Sequence, residues 1–220
     1  MIIDALLVSL KVTTTAVFFS FTIGLFLARF MTKKRFKAQQ LIEIFIMLPM
    51  FLPPSVVGYI LLLAIGRRSI AGALLNKYFG TNLTFTWIAA VIAAFAVSLP
   101  LMYQGAKGAF LSIDSIYEEA AKVMGASETT IFCKIVLPMA ARSILSSLIL
   151  TLGRAFGEFG ATLMVAGNIP GKTQTIPIAM YYAVETGETF SANVILLIIL
   201  GISFSLIFIQ NYLLNNKYSY

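Results

Sequence analysis

Five stretches of this chain, near 7–30, 41–65, 85–106, 139–165 and 190–213, are long and almost uninterruptedly apolar. Each can cross about 30 Å of hydrocarbon, which takes about 20 helical residues. Backbone in hydrocarbon must satisfy its N–H and C=O groups internally, and a helix does so within one segment. The expected fold class is therefore all-α: a polytopic membrane protein of about five transmembrane helices, forming a single domain over residues 1–220. Composition agrees, since 59% of residues are hydrophobic and 11% are charged, whereas a soluble domain carries about 25% charged residues.

The formal charge of +7 is spread over connecting segments rather than gathered on one face, which argues for membrane topology and against nucleic acid. There is no His and one Cys, Cys133, which removes disulfides, Cys/His metal sites and His-based catalysis from consideration. The N-terminus begins apolar with no basic n-region, so it reads as a retained helix. Arg29, Lys33, Lys34, Arg35 and Lys37, with Lys107, Lys122, Lys134, Arg142 and Lys217, make ten basic residues on one side of the five stretches. Arg67, Arg68, Lys77 and Lys172 make four on the other, and Lys11 and Arg154 fall within stretches. The positive-inside rule then predicts an outer N-terminus and an inner C-terminus.

The second stretch contains Pro49, Pro53 and Pro54. Three prolines cannot all sit in a regular helix, so a kink is expected, tolerable only where protein or a water-filled cavity covers the freed backbone. It either lines a path or shapes packing alone; Pro100 raises the same question in the third stretch. The fourth stretch carries Arg154 and Glu158 among Gly153, Gly157, Gly160 and Thr162. Read as one helix from Pro138, it puts Arg154 and Glu158 on a common face, with Arg154 about 24 Å along. Charges at that depth should face protein or water rather than lipid. Two readings stand: a structural ion pair between helices or subunits, or a path site where Arg154 attracts an anion and Glu158 holds the guanidinium. The Gly153/Gly157 spacing permits close helix approach, so Arg154, Gly157, Glu158, Gly160 and Thr162 are expected along a path or subunit interface. Beyond the Pro170-Gly171 turn, Thr175-Ile176-Pro177 reads as the N-cap and first turn of a short helix to about Glu185.

Residues 112–138 are polar and helix-like between two apolar stretches, and so must lie outside the bilayer. They contain Glu119-Ala120-Ala121, then Gly125 and Ile135-x-Leu137-Pro138. The two alanines allow close packing, Gly125 a sharp turn, and Pro138 the first turn of the next helix. The pattern resembles the EAA loop of ABC importer permeases, a helix–turn–helix that docks on a cytoplasmic ATPase. Gly157-Glu158-Phe159-Gly160-Ala161-Thr162, the segment Asn168 to Pro177, Leu52 to Tyr59 and Gly66-Arg67-Arg68 resemble the molybdate importer permeases, over nearly the whole chain.

That resemblance implies a type I ABC importer transmembrane domain in the cytoplasmic membrane, working as a homodimer by alternating access. It implies two copies of a cytoplasmic ABC ATPase, which bind ATP and Mg, and an extracytoplasmic molybdate-binding protein. No cofactor is expected in this subunit, and no Gly-x-x-x-x-Gly-Lys-Ser/Thr loop is present for hydrolysing ATP itself. Sulfate or tungstate permeases are the nearest alternatives. An ATP-independent secondary transporter or channel, or an intramembrane enzyme, would lack a use for the EAA-like loop.

Overall fold

The computed structural model describes residues 1–33, 36–80 and 82–215; Lys34, Arg35 and Lys217 of the charge count lie outside them. Helix α1 (Ile2–Lys33) buries a stripe of small residues at helical spacing, including Ala5, Ser9, Val12, Thr13, Ala16, Ser20, Gly24 and Ala28. It lies along α5 (Trp87–Leu111), whose buried face is equally small: Ala89, Ala90, Ala93, Ala94, Ser98 and Ala106. In lipid, small residues let backbones approach until dispersion contacts hold the pair. The Ser20 and Ser98 hydroxyls hydrogen-bond at 2.9 Å within this contact.

The two helices run parallel. Val12, Ala16 and Val17 share one core cluster with Ala89 to Val97, while Ala28 and Met31 share a second with Met102 to Phe110. Parallel neighbours require the intervening chain to return across the bundle. That return is the second apolar stretch, which is two helices, α2 (Gln39–Phe51) and α3 (Pro54–Ile65). They meet at 119° instead of forming one kinked helix. Pro53 and Pro54 sit where no backbone N–H is needed, at the N-cap and first turn of α3. Pro49 remains inside α2 and Pro100 inside α5, where no break occurs.

The segment between Gly66 and Thr86, expected as an outer connection, contains α4 (Ile70–Phe79), with the Gly72 N–H donating to the Ser69 hydroxyl at 2.9 Å. Beyond α5 come α6 (Ser115–Val123), α7 (Glu128–Ile131), a π-helical turn (Phe132–Val136) and α8 (Leu137–Phe156). Glu128 to Phe156 forms one continuous run. Pro138 stands in the first turn of α8, as expected from sequence, although α8 continues the run that begins at Glu128. The π turn accommodates it: the Leu137 N–H reaches back to the Phe132 carbonyl, widening the ladder just ahead of a residue that cannot donate.

At its other end the fourth stretch is shorter than expected. It breaks after Phe156, and α9 (Gly160–Ala166) is a separate helix. Then follow α10 (Ile176–Glu185) and α11 (Thr189–Asn215). Helix α8 runs antiparallel to α5, and α11 antiparallel to α8, with the Gln210 amide donating to Ser146 at 3.3 Å. Four helices, with the bent α2–α3 pair as a fifth crossing, are long and apolar enough to span a membrane.

The polar start of α1 is divided: Ser9 and Thr13 are buried against protein, while Asp4, Lys11 and Thr14 are exposed. Ser9 is buried and accepts the Ile176 N–H at 2.7 Å, so it caps α10 from a distant part of the chain. Thr175 occupies the N-cap position as expected, but its hydroxyl has no partner. Lys11 places its ammonium 3.8 Å over the Trp87 ring.

Close packing of α3 on α9 depends on Gly58, where an added Cβ would lie 2.8 Å from Met164 Cβ and 2.9 Å from Ala161 Cα. Gly58→Ala is expected to destabilise the subunit by about 1–3 kcal/mol through overpacking. Gly201→Ala, in open space on α11, should be neutral or mildly stabilising. Thermal unfolding of the two variants in detergent checks the contrast.

Candidate functional site

The polar segment folds into an elbow. The Asp114 carboxylate caps α6, accepting the Ile116 N–H at 3.0 Å. The helix stops at Gly125, whose φ of +80° is left-handed. The Ala126 N–H donates to the Ala121 carbonyl at 3.0 Å and the Gly125 N–H to the Lys122 carbonyl at 2.9 Å. This is the helix stop that glycine favours, and no atom stands within 4 Å of where its Cβ would be. Glycine is needed here for its backbone rather than for space. Ser127 then caps α7, accepting the Thr130 N–H at 3.3 Å.

The pattern residues divide by exposure. Ala121 is buried in the cluster with Ile131 and Val136. Ile135 and Leu137 pack at its edge. Glu119, Ala120, Gly125 and Pro138 face outward. At the tip Val123 and Met124 are 89% and 86% exposed, and Ile116 and Tyr117 also stand free of the core. A cavity of about 630 Å³ opens beside the elbow between Ser112–Tyr117, Pro138–Ser143 and the end of α11. The elbow therefore presents an exposed apolar tip on an otherwise charged surface.

Ion pairs fix the elbow to α1. Arg29 donates to both Glu118 oxygens at 2.9 and 3.0 Å. Lys33 pairs with Glu128, and Lys122 approaches Glu128 at 3.5 Å. Sequence reading counted Arg29 and Lys33 for topology and did not assign them a partner. The Arg29 hydrogen bonds hold the Glu118 carboxyl below the usual carboxylate range, against the opposing effect of partial burial.

At mid-bundle the chain brings two helix breaks together. Where α2 gives way to α3, Pro54 lies against the break between α8 and α9: a Cβ on Gly160 would lie 3.0 Å from Pro54 Cβ. Arg154 is in the last turn of α8, and Glu158 is in the break rather than on the same helix as expected. They still pair, Arg154 Nη1 donating to Glu158 Oε2 at 2.7 Å. The other Glu158 oxygen accepts the Ala161 N–H at 2.9 Å, capping α9. The carboxylate can turn to this task because the helix has ended. Glu158 is 3% exposed, while the Arg154 side chain is 34% exposed.

Thr162 is buried and Gly157 exposed. Gly153 meets only a Leu206 methyl at 3.9 Å, so within one chain the Gly153/Gly157 spacing packs no helix closely. That Pro53-Pro54 and Gly157-Gly160 would face each other was not evident from sequence. The shared signal was helix-breaking residues inside two apolar stretches.

A five-crossing helical bundle with a rigid elbow at one end and paired breaks at its centre is the architecture of a type I ABC importer transmembrane subunit. Structurally, the chain is similar to one in the inward-facing MetNI methionine ABC transporter, with TM-score 0.70, 18% identity, and coverage of 97% of this chain and 96% of that one. The chain belongs to the family "Binding-protein-dependent transport system inner membrane component", matched over residues 20–216, and is a multi-pass inner membrane protein. It is 41% identical over 192 residues to the molybdenum transport system permease protein ModB of Escherichia coli (strain K12), spanning 86% of this chain and 84% of that protein. It is 30% identical over 210 residues to the sulfate transport system permease protein CysT of the same organism, spanning 96% and 76%.

Two measurements test the site. Because the Glu118 pKa is lower folded than unfolded, its stabilisation is fully present above the ordinary value of about 4.3 and is lost as pH falls through the folded value. Hydrogen-exchange protection of α6 should therefore hold at neutral pH and fall in acid, with a flattened profile in Glu118→Gln. For the central break, Glu158→Ala should cost about 1–3 kcal/mol, since it removes the Ala161 N–H acceptor and one partner of a half-buried ion pair. Glu158→Gln, which keeps an acceptor for Ala161, should cost less; chemical denaturation compares the two.

Proposed function

We propose that this chain is the permease subunit of an ATP-driven importer of molybdate, acting as a homodimer with two cytoplasmic ABC ATPases and an extracytoplasmic molybdate-binding protein. The observation that carries the reading is the elbow: a preorganised, apolar-tipped helix–turn–helix on a chain without a nucleotide-binding loop of its own. Likeness to ModB, a molybdenum transport system permease protein, supports the choice of cargo. The lower identity to the sulfate permease makes sulfate the second reading, with tungstate a third.

In this reading the elbow end is cytoplasmic and the N-terminus outside, in line with the basic-residue bias. Glu119, Ala120, Ala121, Gly125, Ile135, Leu137 and Pro138 form the elbow's docking pattern, with ATP and Mg bound by the ATPases. Arg154, Gly157, Glu158, Gly160 and Thr162 line the path or the interface between the two copies. Molybdate is a tetrahedral dianion, suited to weak attraction by a part-exposed guanidinium and by helix starts. Glu158 keeps Arg154 from becoming a tight anion trap, because it already supplies a carboxylate. ATP closure of the two ATPases displaces the elbows and alternates access about the central breaks.

The test is uptake into liposomes containing the subunit with its ATPase and binding protein. Molybdate uptake should require ATP, compete with tungstate, and be little affected by sulfate. Gly125→Trp should abolish uptake and weaken recovery of the ATPase with the subunit. Uptake by the subunit alone, without nucleotide, would refute the proposal.

A further inference from the structure

We propose that Arg29 is the joint through which displacement of the elbow's α6 limb reaches the helical bundle. The inference rests on the reading that the elbow docks on a motor. Arg29 belongs to α1, far in sequence from the elbow, yet its guanidinium touches three other elements. It makes both hydrogen bonds to Glu118 of α6, at 2.9 and 3.0 Å. Its central carbon lies 5.9 Å from the ring centre of Phe110 on α5 and 5.3 Å from that of Phe132 in the π turn. Those two rings meet edge to face at 6.0 Å. The Arg29 side chain is 16% exposed, so these contacts are largely shielded from water, where charge-assisted pairs are strongest. One turn further, Lys33 pairs with Glu128 of α7. Both limbs of the elbow are thus held by the last turns of one helix.

Of the two covalent routes from elbow to bundle, the α7 limb continues into α8 as one helical run, whereas the α6 limb has a break that the Arg29 fork braces. Helix α6 joins α5 through Ser112 to Asp114, where one ladder ends and another begins: the Ser112 and Ile113 N–H groups bond back to Gly108 and Phe110 of α5, and α6 starts afresh from the Asp114 cap. A load on α6 can bend that link. The fork of two parallel N–H···O bonds resists both rotation and translation, and an ammonium cannot reproduce it. From Arg29 the load passes into α1, then into α5 through the Ser20–Ser98 bond and the contact of Gly24 with Met102 and Tyr103. Helix α1 is in this account a transmission element, and Arg29 a positioning residue that sets the elbow against it.

The experiment measures cargo uptake and ATP hydrolysis together in liposomes holding the full complex. In Arg29→Lys and Glu118→Gln, hydrolysis should stay within about twofold of wild type while uptake per ATP falls about tenfold or more. The charge-swapped double variant Arg29→Glu with Glu118→Arg should recover part of the loss, which a purely structural role in either residue would not predict. Unchanged uptake per ATP in the single variants, or a proportional fall of both activities, overturns the proposal. If a variant fails to assemble, hydrogen exchange of α6 in the isolated subunit decides: lost protection restored by the swap supports the joint, and unchanged protection overturns it. Wild-type uptake without ATP would instead overturn the importer reading itself.

Discussion

The parallel contact of α1 with α5 is the interaction on which the rest of the fold depends. Alanine, serine and glycine stripes on both helices let the backbones come close without a hydrophobic drive, which hydrocarbon solvent does not supply. Because the two run the same way, the chain between them has to recross, and the bent α2–α3 pair is the consequence. Helices α8 and α11 then add antiparallel neighbours, and the bundle acquires two ends of different character. One carries the elbow, the other the capped start of α10.

Breaking helices inside a membrane protein frees backbone groups that water cannot reach. The structure meets this need with chain chemistry already at the breaks. Proline at the start of α3 removes donors that would otherwise go unpaired. The Glu158 carboxylate takes up the Ala161 N–H of α9 while answering Arg154. A single acidic side chain thus stabilises a helix start and a cation together, and explains why an ionised group is tolerated so deep in the bundle. With Gly160 against Pro54, the two breaks pack as one region rather than as two isolated defects.

Much of this was legible from residues alone. The apolar stretches gave the number of crossings, because length and hydropathy are local properties. The short helix over 176–185 followed from Pro177 and the turn before it. Gly125 pointed to a sharp turn, and the structure shows that turn to be left-handed. Residue pairs distant in sequence were not legible. Ser9 capping Ile176 and Arg29 gripping Glu118 leave no periodic trace, since each is one polar residue meeting another after the chain has folded. The end of α8 was misplaced for a related reason: Arg154 and Glu158 keep their one-turn spacing across a break, so the sequence pattern cannot distinguish a helix from a helix that has just stopped. The helix at 70–79 was missed because ten residues are too few to register as a crossing.

The π turn before Pro138 has a geometric corollary. It holds one residue more than an α turn would, and each residue advances a helix by about 100°. Side chains on the elbow side of Phe132–Val136 are therefore offset in phase from where an uninterrupted α-helix would place them relative to the bundle side. Loss or gain of a single residue in that turn would swing the elbow tip around the α8 axis and leave the helix contacts beyond it in register.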